Sequence, residues 1–316
     1  MVEQTEPFFV PLERRGVLGI GGSEARTFLQ NLVSNDVRRL AADRALYALL
    51  LTPQGKYLHD FFLVEHADPE AGTTLLLDVE RERAADLLRR LTLYKLRADV
   101  VLADLSDRYT AGVIVGASDR FGLPPLEGSA RPADGGIVFV DPRRGRLGVR
   151  FVLPRDRATG FAAANQVRRG EESEYDALRL REGVPDSSRD LAVERSFPLE
   201  AALDELHAID YGKGCYVGQE LTARTHYRGT VRKRLMPVRI EGVTPAPGTP
   251  VLFGTVEAGE MRSSSGSLGM ALLRLETLEE ARATGGALRA GDATLVPQLP
   301  EWLADTLPSP DAIGKH

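Results

Sequence analysis

Apolar residues change their spacing from one stretch of the chain to the next, and that spacing predicts the elements. Ala25, Phe28, Leu29, Leu32 and Val33 fall on one helical face, with Ser23 as the expected cap and Ser34, Asn35 and Asp36 ending the pattern. ALYALLL (45–51), the turn TPQGK (52–56) and YLHDFFLV (57–64) together predict a β-hairpin. TTLLLDV (73–79) is another strand, and Ala84, Leu87, Leu88 and Leu91 then recur at helical spacing. RADVVLADL (97–105), AGVIVGA (111–117) and GIVFVD (136–141) continue the strand series. A helix over 175–182 stops at Gly183, with Pro185 just beyond. The Gly/Pro-rich stretch 241–251 opens a strand-rich end segment, and the tail after Trp302 reads as loosely ordered. Strands mixed with one-sided helices predict an α+β chain with an all-β C-terminal module.

Length and composition narrow the classes. At 316 residues the chain has room for two or three domains, and 43% apolar with 27% charged residues is the balance of a globular protein. A net charge of -5 argues against a dedicated nucleic-acid binder. The one basic run is Arg224, Arg228, Arg232, Lys233 and Arg234. It leaves open an acidic partner, a folate polyglutamate tail or RNA, against a plain solvated strand of alternating charge. The start MVEQTEPFFVPLERRG carries early acids and no basic-then-apolar signal, and no run approaches the ~18 apolar residues of a membrane span. Cys215 is the single cysteine, so no internal disulfide forms and the expected location is cytoplasmic. The five histidines are scattered, and no metal site is expected within the chain.

The densest local signal is DYGKGCYVGQELTARTHYRG (210–229). Gly212, Gly214 and Gly218 lie within seven residues, which points to left-handed backbone or a close approach by a ligand or another segment. Lys213, Cys215, Gln219 and Glu220 sit among them. A lysine beside a cysteine can favour the thiolate, whereas a lone cysteine can equally be a small buried apolar residue. Cys215 and His226 do not form a protease-like spacing.

KGCYVGQE (213–220) resembles the K-G-C-Y/F-x-G-Q-E signature of YgfZ-type folate-binding proteins, relatives of the glycine-cleavage aminomethyltransferases. FLQNLVSNDV (28–37), LLLTPQGKYLHDFFLV (49–64), YKLRADVVLADLS (94–106), LRLREGVP (178–185) and ARTHYRGTVRKRL (223–235) follow the family order, over roughly residues 8–275. The resemblance implies intertwined ferredoxin-like folate-binding subdomains over 1–232 and a C-terminal β-barrel over 233–316. It implies tetrahydrofolate or a derivative as cofactor, and iron–sulfur client or assembly proteins as partners. The function it implies is that of an accessory protein for assembly or repair of iron–sulfur enzymes. The alternative is a folate-dependent aminomethyltransferase. Cys215, Lys213 and Asp60 are the residues expected to carry chemistry. Asp60, Tyr94, Arg179, Glu182, Tyr216, Gln219, Glu220 and Arg228 are those expected around the folate, with Tyr57, Tyr94 and Tyr216 as candidate stacking partners or plain packing residues.

Two departures bear on that reading. The aminomethyltransferase hairpin carries two adjacent aspartates, and here the pair is His59-Asp60, which weakens the case for aminomethyl transfer. Where the family has L-R-x-E-A-G, Arg181 stands in the glutamate's place and Glu182 follows, a displacement of about 100° around a helix.

Overall fold

The computed structural model describes residues 6–229 and 231–304. They divide into two compact units. The first comprises the chain up to Pro53, Leu58–Tyr175 and Leu206–Gln219; the second comprises Gln54–Tyr57, Asp176–Glu205 and the chain from Glu220.

Two sheets build the first unit. The five-stranded sheet runs in the order Leu46–Leu51, Tyr57–Asp68, Thr73–Glu80, Arg15–Gly21, Val101–Asp104. The six-stranded sheet runs Arg168–Arg169, Phe8–Pro11, Tyr109–Val115, Val149–Pro154, Gly136–Val140, Ala130–Ala133. The first described strand lies in the six-stranded sheet, the next five make up the other sheet, and the chain then returns, so the two halves are intertwined as the resemblance implies.

Alternation along the strands decides what each face meets. Leu18, Ile20, Phe61, Leu63, Leu75, Leu77 and Val79 pack on Phe28 and Leu29 of the helix Ala25–Leu32 and on Leu87 and Leu91 of the helix Ala84–Lys95. In the other sheet Phe9, Ile114, Val138, Phe151 and Leu153 pack with Phe161 of the helix Arg155–Ala164. The remaining faces carry charge. Register sets Asp78 opposite both Val17 and Phe62 in one sheet, and Arg150 opposite Phe139 in the other. Asp78 takes Arg15 Nε and Arg150 Nη2, each at 2.6 Å. Asp141 takes Arg143 at 2.8 Å and Arg150 at 3.6 Å. The Phe62 ring lies 3.9 Å from the Arg150 guanidinium carbon and 4.9 Å from that of Arg143. Burial by itself would raise the Asp78 carboxyl, but Arg15 and Arg150 outweigh it and hold the group below its ordinary value.

In the second unit a closed barrel runs Lys233–Glu241, Leu268–Arg274, Val256–Ser265, Pro250–Phe253, Leu288–Ala290, Ala293–Pro297 and back to the first strand. Met236, Val238, Val251, Met261, Leu273 and Leu295 fill it, joined by Leu278 and Ala281 of the helix Leu275–Thr284. The barrel shares its compact unit with residues 176–205, which the sequence division at 232/233 assigns to the core.

Several local expectations shift. Ser23 does not cap the first helix: its hydroxyl donates to Asp99 at 2.7 Å, and Glu24 is the N-cap without a side-chain bond. The helix expected over 175–182 spans Glu172–Arg181, with Gly183 at φ +70° beyond it. The basic run is not one strand: Arg224 lies on the helix Gln219–Arg228, whereas Lys233 and the buried Arg234 open the barrel. The tail beyond Trp302 falls mostly outside the described residues, and Trp302 Nε1 donates to the Glu182 carbonyl at 2.8 Å.

Candidate functional site

The glycine-rich motif sits in the first unit, where it interlocks with the segment that ends the first helix. Ser34 Oγ donates to the Ala208 carbonyl at 2.5 Å and accepts from Leu49 N at 2.8 Å. Asn35 Nδ2 donates to the carbonyls of His207 (2.7 Å) and Tyr47 (2.8 Å). Asp210 N donates to the Ser34 carbonyl at 3.0 Å, and Gly212 N donates to Asp210 Oδ1 at 2.8 Å. Short polar side chains thus tie helix end, hairpin and motif together.

Lys213 completes the tie. Its ammonium donates to the Gln30 carbonyl at 2.7 Å and to the Val33 carbonyl, both at the C-terminal end of the helix Ala25–Leu32. Those carbonyls have no onward helical partner, and a cation there also meets the negative end of the helix dipole. In return Gln30 Nε2 donates to the Lys213 carbonyl at 3.2 Å, and Arg38 Nη2 to the same oxygen at 3.3 Å. Lys213 is 4% exposed, lies 5.1 Å over the Tyr216 ring, and is pushed down to about 8 by burial, with Asp36 and Asp210 pulling the other way. Gly214 (φ +96°) then turns the chain outward, and Cys215 is exposed. The sequence reading gave Lys213 the task of favouring the thiolate. The structure gives its ammonium two backbone carbonyls, and the same bonds tie down the loop that carries Cys215.

Asp60 lies in the same unit on the strand Tyr57–Asp68, 7% exposed, and accepts a hydrogen bond from the Tyr47 hydroxyl at 2.9 Å. His59 points to the opposite face, its Nε2 3.0 Å from Asp86 Oδ2 on the helix Ala84–Lys95. Burial, assisted by Arg83, pushes His59 down to about 4 despite Asp86, so the ring is neutral at neutral pH and donates to the carboxylate. The hairpin therefore presents one carboxylate, not a pair, on the Tyr47 face.

Beside Tyr47 opens a cavity of about 400 Å³ lined by Asn35, Arg39, Arg44, Tyr47, Glu127, His207, Asp210 and Tyr211. His207 is held at φ +60°, with Nε2 3.0 Å from Glu127 Oε2, and Arg39 reaches Asp210 at 3.2 Å. The cavity offers aromatic surface, cations and an imidazole–carboxylate pair. Tyr47, Arg39, Arg44, Glu127 and His207 escaped the sequence reading. Only the neighbouring Ser-Asn-Asp and glycine motifs hinted at them, because the cavity wall is assembled from distant segments.

The other expected residues are divided between the two units. Tyr57 and Tyr216 are buried, and Tyr94 is 43% exposed on the helix Ala84–Lys95. Gln219 is half-buried and Glu220 exposed at the start of the helix Gln219–Arg228; the Arg228 side chain lies outside the described residues. Arg179 and Glu182 belong to the second unit. Arg179, 2% exposed, donates to Asp176 at 2.6 Å, Asp190 at 3.0 Å and Ser263 Oγ at 2.7 Å. Those bonds make it a brace within its own unit. Among the described residues no group of three or more His, Cys, Asp or Glu side chains is placed to hold a metal ion, and no helix is long and apolar enough to cross a membrane.

Comparison with known proteins adds to this geometry. Residues 232–305 match the CAF17 C-terminal β-barrel domain family. The chain is 32% identical over 307 residues to the mitochondrial iron–sulfur cluster assembly factor IBA57 of Homo sapiens, covering 92% of this chain and 84% of the relative. It is 32% identical over 283 residues to the Mus musculus counterpart, covering 85% and 78%. In fold it is similar to the glycine cleavage system aminomethyltransferase T of Bartonella henselae, with a TM-score of 0.74 at 15% identity over 96% of this chain and 88% of that one.

Proposed function

This chain belongs to the IBA57 family of iron–sulfur cluster assembly factors, and from that premise we propose that it supports assembly or repair of iron–sulfur enzymes through the thiol of Cys215. The observation that carries the proposal is the Gln30–Lys213 interlock, which fixes the backbone of the motif while the next-but-one side chain stays in solvent. A thiol so displayed can engage iron or sulfur of a cluster held on a partner. One cysteine is too few ligands to retain a cluster alone, so the cluster is cargo. The finer placement in the YgfZ-type branch belongs to the same proposal and rests on residues 213–220.

We further propose that a reduced folate binds in the first unit, with Tyr47, whose hydroxyl is held by Asp60 behind it, at the pterin end of the cavity and Arg39 and Arg44 toward its carboxylates. Aromatic rings suit the flat pterin, and guanidinium forks suit the glutamate oxygens. One-carbon transfer is not favoured, since His59 faces away from Asp60 and the relatives are named as assembly factors. A cytoplasmic location, drawn from the single cysteine, is also part of the proposal. The named relatives are mitochondrial, and fractionation of the tagged protein distinguishes the two.

The test is complementation of a strain lacking its endogenous factor, beside calorimetry with tetrahydrofolate. Cys215→Ser should abolish support of client enzymes and leave folate binding intact; full complementation by that variant removes the thiol role. Asp60→Asn should weaken folate binding. Absence of any heat or thermal shift at millimolar tetrahydrofolate removes the folate part.

A further inference from the structure

The barrel-bearing unit has its own cavity of about 280 Å³, into which three separate segments bring cations: Arg195, Lys233 and Arg262. Lys233 opens the barrel strand Lys233–Glu241, Arg262 lies on the strand Val256–Ser265, and Arg195 comes from the turn in which Ala192 N donates to Ser196 Oγ at 2.9 Å. Two carboxylates also line the cavity. Glu260 is neutralised by Arg262 Nη2 at 2.6 Å. Glu200 is raised above its ordinary value by burial, which favours its uncharged form. The balance at the cavity is positive.

The Arg262 side chain remains 17% exposed at the cavity despite its bond to Glu260. Guanidinium edges beside an ammonium match the spread oxygens of a phosphate or carboxylate group.

We propose that this cavity is an oxyanion site, taking the phosphate or carboxylate group of a small ligand between Arg195, Lys233 and Arg262. It takes in Lys233 of the basic run, and it does not depend on the folate reading, which concerns the other unit.

Titrating the full chain with inorganic phosphate and with triglutamate, followed by calorimetry, tests the site. Saturable binding of phosphate assigns a phosphate-bearing ligand, and saturable binding of triglutamate alone assigns a carboxylate-bearing one. In either case Arg262→Gln and Lys233→Gln should each weaken binding at least tenfold. Arg239→Gln, which removes an exposed arginine paired with Glu241 elsewhere on the barrel, should leave it unchanged. The Lys233 variant keeps the test valid if Arg262→Gln fails to fold. Binding of neither probe, or equal binding by native protein and a folded Lys233→Gln variant, overturns the proposal.

Discussion

Asp78 and Lys213 are charged, almost wholly buried and in the same unit, yet their surroundings satisfy them in opposite ways. Asp78 is met by two guanidinium groups, so charge closes on charge and both sheets are drawn onto one carboxylate. Lys213 is met by main-chain carbonyls at a helix end, so its charge fixes only a short loop. The first arrangement seals everything near it. The second leaves Cys215, two residues on, in solvent on an immobilised backbone. A buried charge can therefore hold an architecture or aim a side chain, and the partner decides which.

The hardest way to break this contrast is Asp78→Ala. Arg15 and Arg150 would lose the carboxylate they share, and leaving buried charge uncompensated typically removes about 3–5 kcal/mol. Urea unfolding should show that loss, with Cys215 reactivity changing only as the whole fold does.

Acid should expose a second buried contact on the helix-covered face of the five-stranded sheet. His59 is held down to about 4 when folded, against 6.5 as its ordinary value. Between those values the unfolded chain binds a proton that the folded chain refuses. The stability is therefore complete above pH 6.5 and drains as pH falls toward 4. The loss reaches up to about 3 kcal/mol. His59→Gln should flatten the acid limb of urea midpoints; an unchanged limb would assign it to the carboxylates instead.

Lys213→Met sharpens the contrast from the other side. Removing the donor from the Gln30 and Val33 carbonyls should lower stability by about 1–3 kcal/mol. It should also loosen the loop, read as faster amide exchange over 210–218 and partial loss of complementation. Cys215→Ser, at an exposed site, should change stability by less than about 0.5 kcal/mol while abolishing client support. A larger fall in melting temperature would return the cysteine to a packing role.

Much of the fold was legible because its signals are local. The apolar run at Leu75 to Leu77 with Val79 marks a strand, and Phe28, Leu29 and Leu32 repeat at helical spacing, whereas the glycine-rich strand Arg15–Gly21 gave no such signal. The Gly/Pro-rich stretch 241–251 announced a strand-rich end segment, and the resemblance implied its closure into a barrel. Ser23 misled because a serine before an apolar helix resembles a cap, and only the fold revealed Asp99 as its nearer partner.

At the site, the chain itself determined that a glycine-rich loop would carry the one cysteine and that the hairpin would carry a single aspartate. Residue identity is enough for that, since only glycine adopts φ +96° at Gly214 without strain. Tertiary structure decided what Lys213 bonds, which way His59 and Asp60 turn, and that Tyr47, Glu127 and His207 share one cavity wall. Those outcomes depend on sheet register and on contacts between residues up to 183 positions apart, and no local spacing encodes such distances.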